Sequence, residues 1–203
     1  MRVIAGTYKS RILKSLKGLA LRPTSDRLRE TLFNVLAPNL AGSRFVDLFA
    51  GTGAIGIEAL SRGAAEVVFI ENHDPAVTLI RRNLESLGIK TGATVLTVDA
   101  LRGLAMLAAR TNSGAPAFDH VFLDPPYAAA EDYSRVLEFL GAADLLAPAS
   151  LVVAEHRRNF DLPGEAGMLR RFRVLRQGDA TLSFYRRHGE MGGETSSKSN
   201  SAR

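Results

Sequence analysis

Residues 44–60 read RFVDLFAGTGAIGIEAL, and this stretch decides the fold class of the chain. The apolar run at 44–49 predicts a buried strand, and the glycines at 51, 53 and 56 predict a tight turn into an apolar helix. A Gly-x-Gly-x-x-Gly turn lets the backbone approach a ligand closely, at a helix N-terminus that favours negative groups. A strand, a glycine turn and a helix in this order are typical of an open α/β sheet.

Two later segments repeat the pattern of a strand that ends in an acidic residue. Residues 66–71 predict a strand ending in Glu71, ~20 residues after the glycines, where an acid can accept both ribose hydroxyls of a nucleoside. Residues 93–100 predict another, where Asp99 can accept from an adenine amino group or cap the next helix. In a parallel sheet, ligands bind at the carboxyl ends of the strands. Asp47, Glu71 and Asp99 therefore predict one shared nucleoside site.

The carboxylate of Asp47 distinguishes between two nucleoside cofactors. The glycine turn alone could cradle the pyrophosphate of a dinucleotide, or it could be a tight turn with no ligand. A carboxylate just before that turn would repel a diphosphate. The same carboxylate suits the ammonium of a methionine moiety, whose carboxylate the glycine turn then receives. The pattern therefore resembles the first motif of S-adenosylmethionine (AdoMet) enzymes and favours AdoMet over NAD.

The tetrapeptide Asp124-Pro125-Pro126-Tyr127 follows a predicted strand at residues 118–123. An exocyclic amino group is a poor nucleophile because its lone pair is delocalised. A carboxylate and a backbone carbonyl that each accept one of its N–H bonds turn that lone pair out of the ring plane, and the prolines stiffen the carbonyl by fixing φ. An aromatic ring can stack on a base drawn into the pocket. The tetrapeptide resembles the catalytic loop of methyltransferases that modify exocyclic amino groups, although paired prolines can also simply end a strand.

The N-terminus carries two further segments, RVIAG at Arg2–Gly6 and LRPTSDRLRETLFN at residues 21–34. Together with the motifs above, they make the chain resemble the bacterial 16S ribosomal RNA (guanine-N2)-methyltransferase family that acts on the small subunit. The RxIAG opening and the LRPTxDRxRETLFN segment of that family recur here nearly unchanged. The one departure is Leu28, where we expect a smaller β-branched residue. The resemblance covers residues 1–187.

The resemblance implies a Rossmann-like class I methyltransferase fold, with a mainly parallel sheet, an antiparallel C-terminal hairpin and a small basic N-terminal extension. It implies methyl transfer from AdoMet to a guanine N2 in 16S rRNA, either free or in a small-subunit particle. The implied cofactor-binding residues are Asp47, Phe49, Gly51, Gly53, Glu71, Asp99 and Ala100. The implied catalytic residues are Asp124, Pro125, Pro126 and Tyr127, and the implied RNA-binding residues are Lys9, Arg11, Lys14, Arg22 and Arg27.

Charge is segregated along the chain of 203 residues, which has a net charge of +5. Residues 1–30 carry eight Lys or Arg against two acids, residues 31–155 eight against fourteen, and residues 156–203 ten against five. An acidic body with basic ends favours a polyanionic partner, although solvated charged edges remain an alternative for the C-terminal part. The absence of cysteine excludes disulfides and thiolate metal sites, and the four histidines lack ligand spacing. We expect no metal, no membrane span, a cytoplasmic location and a monomer.

The remaining pattern predicts the order of the segments. We expect a basic extension and helix at residues 1–40, a methyltransferase domain at 41–188 and a disordered tail at 189–203. The first predicted helix takes its N-cap from Thr24 to Asp26 and reaches about Leu36. The other predicted helices cover 74–87, with Asp74 as N-cap and Pro75 at the first position, 101–110, and 131–140. A strand is predicted at 150–155, a loop at 111–116 and a closing hairpin at 169–176 and 180–186.

Three rival functions stay open from the sequence. A DNA adenine-N6 methyltransferase would use the same tetrapeptide, since Asp124 does not distinguish adenine from guanine, but it usually needs a sizeable target-recognition insertion. A noncatalytic RNA-binding protein on a methyltransferase fold would have lost motif residues, whereas none is missing here. A dinucleotide oxidoreductase ranks lower because of Asp47 and the Pro-Pro loop.

Overall fold

A computed structural model describes residues 1–15, 25–126 and 130–188 of the chain. The described strands form one eight-stranded sheet in the order β3-β2-β1-β4-β5-β8-β7-β6. Its strands are β1 Arg44–Leu48, β2 Glu66–Ile70, β3 Ala93–Leu96, β4 Phe118–Leu123, β5 Leu146–Arg157, β6 Glu165–Ala166, β7 Leu169–Gln177 and β8 Ala180–Arg187. The first five strands pair in parallel and the last three pair antiparallel, so the predicted fold class is confirmed.

Helices cover both faces of this sheet. They are α1 Asp26–Leu36, α2 Ala54–Ser61, α3 Asp74–Ser86, α4 Ala100–Asn112 and α5 Ala130–Ala142, with a short 3-10 turn at Ala37–Asn39. Apolar side chains of α1, α2 and α3 join one core with Phe45, Phe69 and Phe122 of the sheet. Those of α4 and α5 join a second core with Val46 and Leu123. Because successive strand residues point to opposite faces, neighbouring positions of one strand contribute to different cores.

The N-terminal segment packs into the first of these cores. Val3 and Leu13 are 1% and 2% exposed, and Arg2 forms an isolated antiparallel bridge with Ile12. Gly6 has φ +81°, and a Cβ added there would lie 1.8 Å from the carbonyl oxygen of Ser61, so only glycine permits this close contact with α2. Residues 1–15 therefore share their core with the sheet; the predicted domain division at residue 40 stays a prediction.

Several predicted boundaries were wrong by a few residues. The helix predicted to have Asp74 as its cap takes His73 as N-cap, so Asp74 is its first helical residue. Helix α4 continues to Asn112, two residues into the predicted loop, and the Thr111 hydroxyl donates to the carbonyl of Leu107 in its last turn. β5 is longer than predicted since it pairs on both sides, and β6, only two residues long, carries too little periodicity for prediction. The predicted disordered tail lies outside the described residues.

Candidate active site

The glycine turn between β1 and α2 is held in a constrained backbone conformation. Phe49, Gly51 and Gly53 have φ values of +57°, +53° and +75°, and Gly53 is the N-cap of α2. A Cβ added at Gly56 would lie 2.3 Å from the Phe69 ring, so glycine lets α2 pack directly on β2. The turn thus lies at the carboxyl edge of the sheet, where the amides of Gly51 and Gly53 donate to Glu71 Oε2 at 2.8 Å and to the Ala50 carbonyl at 2.7 Å.

Asp47 is buried beneath this turn. Its Oδ2 accepts a hydrogen bond from the Gly56 amide at 2.9 Å, so this side chain positions the start of α2. Burial raises the pKa of Asp47 to about 8; the Gly56 hydrogen bond opposes that rise, and the charge of Glu71 adds to it. A cation bound at this place would favour the ionised form, which makes Asp47 a suitable neighbour for a positively charged ligand.

Glu71 directly follows β2 and connects the end of this strand to the glycine turn. Its Oε2 accepts from the Gly51 amide at 2.8 Å, and its Oε1 accepts from the amides of Asn72 and His73 at 3.0 and 2.9 Å. A carboxylate has about four lone-pair sites, so these three bonds leave room for a further donor such as a ribose hydroxyl. The predicted ribose contact stays a prediction.

Asp99 and Ala100 lie where β3 leads into α4. The Oδ1 of Asp99 accepts from the Arg102 amide at 3.0 Å and caps α4, which is one of the two roles that the sequence allows. The side chain of Asp99 is otherwise exposed, while Ala100 is buried. The predicted adenine contact of these two residues stays a prediction.

Asp124 follows β4, at the same edge of the sheet as Asp47. The register pairs Leu48 with Leu123, which brings the ends of β1 and β4 side by side. Burial raises the pKa of Asp124 well above its usual range, and the charges of Glu155 and then Asp47 raise it further. The negative charges of Glu155 and Asp47 therefore act on Asp124, and this negative environment favours a cationic ligand.

The rest of the tetrapeptide is described in part. Pro125 is buried and Pro126 is exposed, whereas Tyr127 lies outside the described residues. Glu155 is not among the predicted site residues, although the predicted strand 150–155 ends on it. The rule that singled out Glu71 and Asp99, an acid at the end of a parallel strand, would have found it.

Four of the five predicted RNA-binding residues lie in the N-terminal segment or in α1. Lys9, Lys14 and Arg27 are exposed, and the Arg11 guanidinium donates to the Ser86 carbonyl at 3.1 Å. The segment ends near the glycine turn: the Asn83 amide group donates to the carbonyls of Lys14 and Thr52 at 3.2 and 3.1 Å. Arg22 lies outside the described residues.

Two further properties follow from the described part of the chain. In residues 1–15, 25–126 and 130–188, no helix is long and apolar enough to cross a membrane. The same residues contain no cluster of three or more His, Cys, Asp or Glu side chains that could hold a metal ion.

The chain is similar in sequence to a protein family and to several named proteins. The profile of a family described as conserved hypothetical protein 95 matches residues 1–186. The Bacillus subtilis protein YlbH, which carries a provisional rRNA methyltransferase name, is 36% identical over 189 residues, covering 93% of this chain and 100% of that protein. The Haemophilus influenzae ribosomal RNA small subunit methyltransferase D is 42% identical over 128 residues, covering 63% of this chain and 64% of that protein.

The fold of the chain is also similar to solved structures. The Escherichia coli protein yhhF, named provisionally as a methyltransferase, superposes with a TM-score of 0.79 at 30% identity, covering 92% of this chain and 97% of that one. A Thermus structure described as hypothetical protein TTHA0928 superposes with a TM-score of 0.76 at 30% identity, covering 91% of this chain and 98% of that one.

Proposed function

This chain belongs to the family described as conserved hypothetical protein 95, and from that premise we propose that it transfers a methyl group from AdoMet to the exocyclic N2 of a guanine in 16S rRNA. The observation that carries the proposal is the position of Asp124 and its two prolines, beside Asp47 and the glycine turn at one sheet edge. The names of the relatives, rRNA methyltransferases of the small subunit among them, support rRNA as the substrate.

The residues at this edge suit AdoMet. When bound, AdoMet supplies an activated methyl group on a positively charged sulfonium. The carboxyl groups of the buried Asp47 and the half-buried Asp124 offer the negative charge that such a cation and its ammonium group need, and the glycine turn lies beside them at the same edge. In this proposal Glu71 contacts the ribose, and Asp99 with Ala100 contacts the adenine. Most of the contribution of the protein to the rate is positioning, because the methyl group is already electrophilic.

Asp124 acts on the amino group of the target base. Its carboxylate and the Pro125 carbonyl accept the two amino hydrogens, so that the nitrogen lone pair points out of the ring plane, and Tyr127 stacks on the base. Methyl transfer then leaves a positive charge on that amine. The raised pKa of Asp124 makes this carboxylate a better acceptor for the proton that the amine loses, although water could also take it.

The basic ends of the chain support a polyanionic partner. Besides the exposed Lys9, Lys14 and Arg27, the C-terminal hairpin presents Phe172, which is 43% exposed, with the Arg186 guanidinium 5.4 Å from its ring centre. Exposed arginines and an aromatic ring are groups that contact phosphates and stack on bases. An rRNA substrate implies a cytoplasmic location; the monomeric state stays a prediction.

The wild-type protein is expected to methylate 16S rRNA or a small-subunit particle when it is supplied with labelled AdoMet. Digestion of the RNA and mass spectrometry should then show N2-methylguanine, and duplex DNA should be a poor acceptor because a target base is not exposed in it. N6-methyladenine from DNA in place of that product would favour the rival DNA enzyme. Calorimetry that finds tight NADH binding and no AdoMet binding would overturn the cofactor assignment.

Replacing Lys9 and Lys14 with alanine is expected to weaken RNA binding and to leave AdoMet binding unchanged, because exposed lysines contact phosphates without reading sequence. Each lost contact should flatten the plot of log affinity against log salt by about 0.7 to 0.9. Arg11 is kept because it also bonds the Ser86 carbonyl. The control is the double variant Lys90→Ala and Arg110→Ala, which removes the same charge from exposed sites outside this segment. Equal salt slopes for both double variants would contradict the prediction.

A further inference from the structure

The C-terminal hairpin carries an aromatic ring at its surface. Phe172 lies in β7 and is 43% exposed. The pairing of β7 with β8 shifts its register between Arg171 and Arg173, so Phe172 occupies a bulge. A bulge bends its strand and changes the direction of a side chain. The ring is also supported by the core, because its centre lies 6.4 Å from that of the buried Phe184. Phe172 is therefore a positioned ring that solvent reaches.

Arginines surround this ring. The Arg186 guanidinium lies 5.4 Å from the ring centre of Phe172. The register places Arg170 directly opposite Arg186, Arg173 follows Phe172 in the chain, and all three arginines are exposed. We call Phe172, Arg170, Arg173 and Arg186 the hairpin surface. Like charges directly opposite each other on neighbouring strands repel, so the pairing of Arg170 with Arg186 is unfavourable without a negative partner.

Protection of the sheet edge does not explain the composition of this surface. Because β6 pairs only with Leu169 and Arg170, residues 172–177 of β7 form an edge, where charged side chains deter pairing with another molecule. Charges of either sign would serve that purpose, yet β7 contains four arginines and no acid. An exposed apolar ring at an edge would instead favour such pairing. Arginines of one sign around a ring indicate a polyanionic partner that also offers a flat surface.

One acid lies close to the hairpin surface. Glu165 is 3.6 Å from Nε of Arg170, in a pair whose two side chains are both largely exposed. Exposed pairs of this kind contribute little energy and exchange readily for another anion. Within residues 1–15, 25–126 and 130–188, Arg173 and Arg186 form no ion pair. Their charges are therefore available to a phosphate.

The hairpin surface lies on the same side of the sheet as the N-terminal segment. Phe184 belongs to the core beneath α1, α2 and α3, and Arg186, two residues later in the strand, points to the same face. Helix α1, which carries the exposed Arg27, reaches the hairpin where the Thr31 hydroxyl donates to Gln177 Oε1 at 3.3 Å. One RNA molecule could therefore contact both the N-terminal residues and the hairpin surface.

The hairpin surface is too far from Asp124 to hold the target base. Three strand spacings, together about 14 Å, separate β4 from β7. The register aligns Phe122 with Val153, Phe184 and Arg173 in turn, so Asp124 also lies roughly 7–10 Å further along the strand direction than Phe172. A base stacked on Phe172 therefore belongs to a different nucleotide from the one that is methylated.

We propose that the hairpin surface is a second RNA-binding site, at which the base of an unpaired nucleotide stacks on Phe172 while Arg173 and Arg186 contact the adjoining phosphates. The proposal rests on the proposed function and adds a nucleotide site outside the methylation pocket. A stacked ring accepts any base, since every base has a π-face, and the arginines neutralise the backbone. A bound phosphate also relieves the repulsion between Arg170 and Arg186. The site adds affinity for RNA without reading its sequence.

Replacing Phe172 with alanine is expected to weaken the binding of a labelled single-stranded oligoadenylate about 5-fold to 100-fold, the usual effect of losing one base stack. Binding of a labelled RNA duplex should stay within about 2-fold, because its bases are paired and offer phosphates alone. Phe172→Tyr keeps a ring and should bind as the wild type does, whereas Phe172→Leu keeps only apolar bulk and should resemble alanine. Fluorescence anisotropy measures these affinities.

Two further variants complete the test. Arg186→Ala should weaken the binding of both RNA probes and flatten the plot of log affinity against log salt by about 0.7 for the single strand. The control is Val174→Ala, which removes another exposed apolar side chain of β7. Val174 pairs with Ser183, next to Phe184, so it lies on the opposite face and its variant should bind RNA normally.

The outcomes separate this inference from the proposed function. Wild-type affinity for oligoadenylate in Phe172→Ala overturns the inference, and so does an equal loss for single strand and duplex, which would indicate a structural role. A dimer in sedimentation that Phe172→Ala dissociates, with RNA binding unchanged, would assign the surface to a second copy of the chain and also overturns it. Wild-type protein that binds oligoadenylate through Phe172, yet methylates no rRNA, refutes the proposed function and leaves the RNA-binding site standing.

Discussion

Replacing Asp124 with alanine is expected to lower methyl transfer to rRNA about 100-fold or more, while AdoMet affinity stays within a few fold. Asp124 would contact the amino group of the base, and its bond is strongest when that nitrogen becomes positive. Loss of the contact therefore raises the barrier of the chemical step more than it weakens binding. Asp47, Glu71 and the glycine turn, which would hold the cofactor, remain in place.

Single-turnover assays with labelled AdoMet measure the chemical step, and calorimetry measures cofactor affinity. The matched control is Asp144→Ala, an exposed aspartate just before β5 at the opposite edge of the sheet, which should keep wild-type turnover. Unimpaired turnover in Asp124→Ala would mean that the tetrapeptide is only a turn. A loss of AdoMet binding as large as the loss of turnover would assign Asp124 to the cofactor instead.

Replacing Glu58 with alanine is expected to lower the free energy of unfolding by about 3–5 kcal/mol, because it removes a buried carboxylate that accepts several hydrogen bonds and leaves Asp26 as the only acidic partner of the buried Arg29 among the described residues. The Glu58 carboxylate accepts from the amides of Ile4 and Ala5 at 2.8 and 3.0 Å and from Arg62 Nε at 2.7 Å. Its Oε2 also lies 3.9 Å from Nε of Arg29, whose guanidinium is fully buried. Burial lowers the pKa of Arg29, and the negative charge of Glu58 opposes that decrease.

Urea denaturation followed by circular dichroism measures this loss. Glu85→Ala removes an exposed glutamate from α3 and should change stability by less than about 0.5 kcal/mol, as surface substitutions usually do. Because two of the lost bonds hold residues 4 and 5, protease cleavage near the N-terminus should accelerate in the Glu58 variant before global unfolding. A loss below about 1 kcal/mol, with unchanged cleavage, would show that the buried network does not hold the N-terminal segment.

Local patterns were sufficient to predict the elements around the site. Strands β1, β2 and β4 and the closing hairpin of β7 and β8 were found at or near their observed bounds, since each combines an apolar run with a turn signal. The Ser25 cap of α1 lies within the range Thr24 to Asp26 from which the sequence predicts a cap, and the cap of α4 is one of the two roles predicted for Asp99. The errors lie at element ends and in short edge pieces, where pairing partners decide the length.

The sequence by itself determined the kinds of group at the carboxyl edge of the sheet: a glycine turn, acids at strand ends and a Pro-Pro loop. Those signals are local, because φ preferences and side-chain alternation depend on near neighbours in the chain. Only the tertiary structure decided what each acid does there. Strand order puts Glu155 beside Asp124, 31 positions earlier in the chain, and burial raises the pKa of Asp47 to about 8. Pairing across strands and removal from water are long-range effects, and no window of sequence contains them.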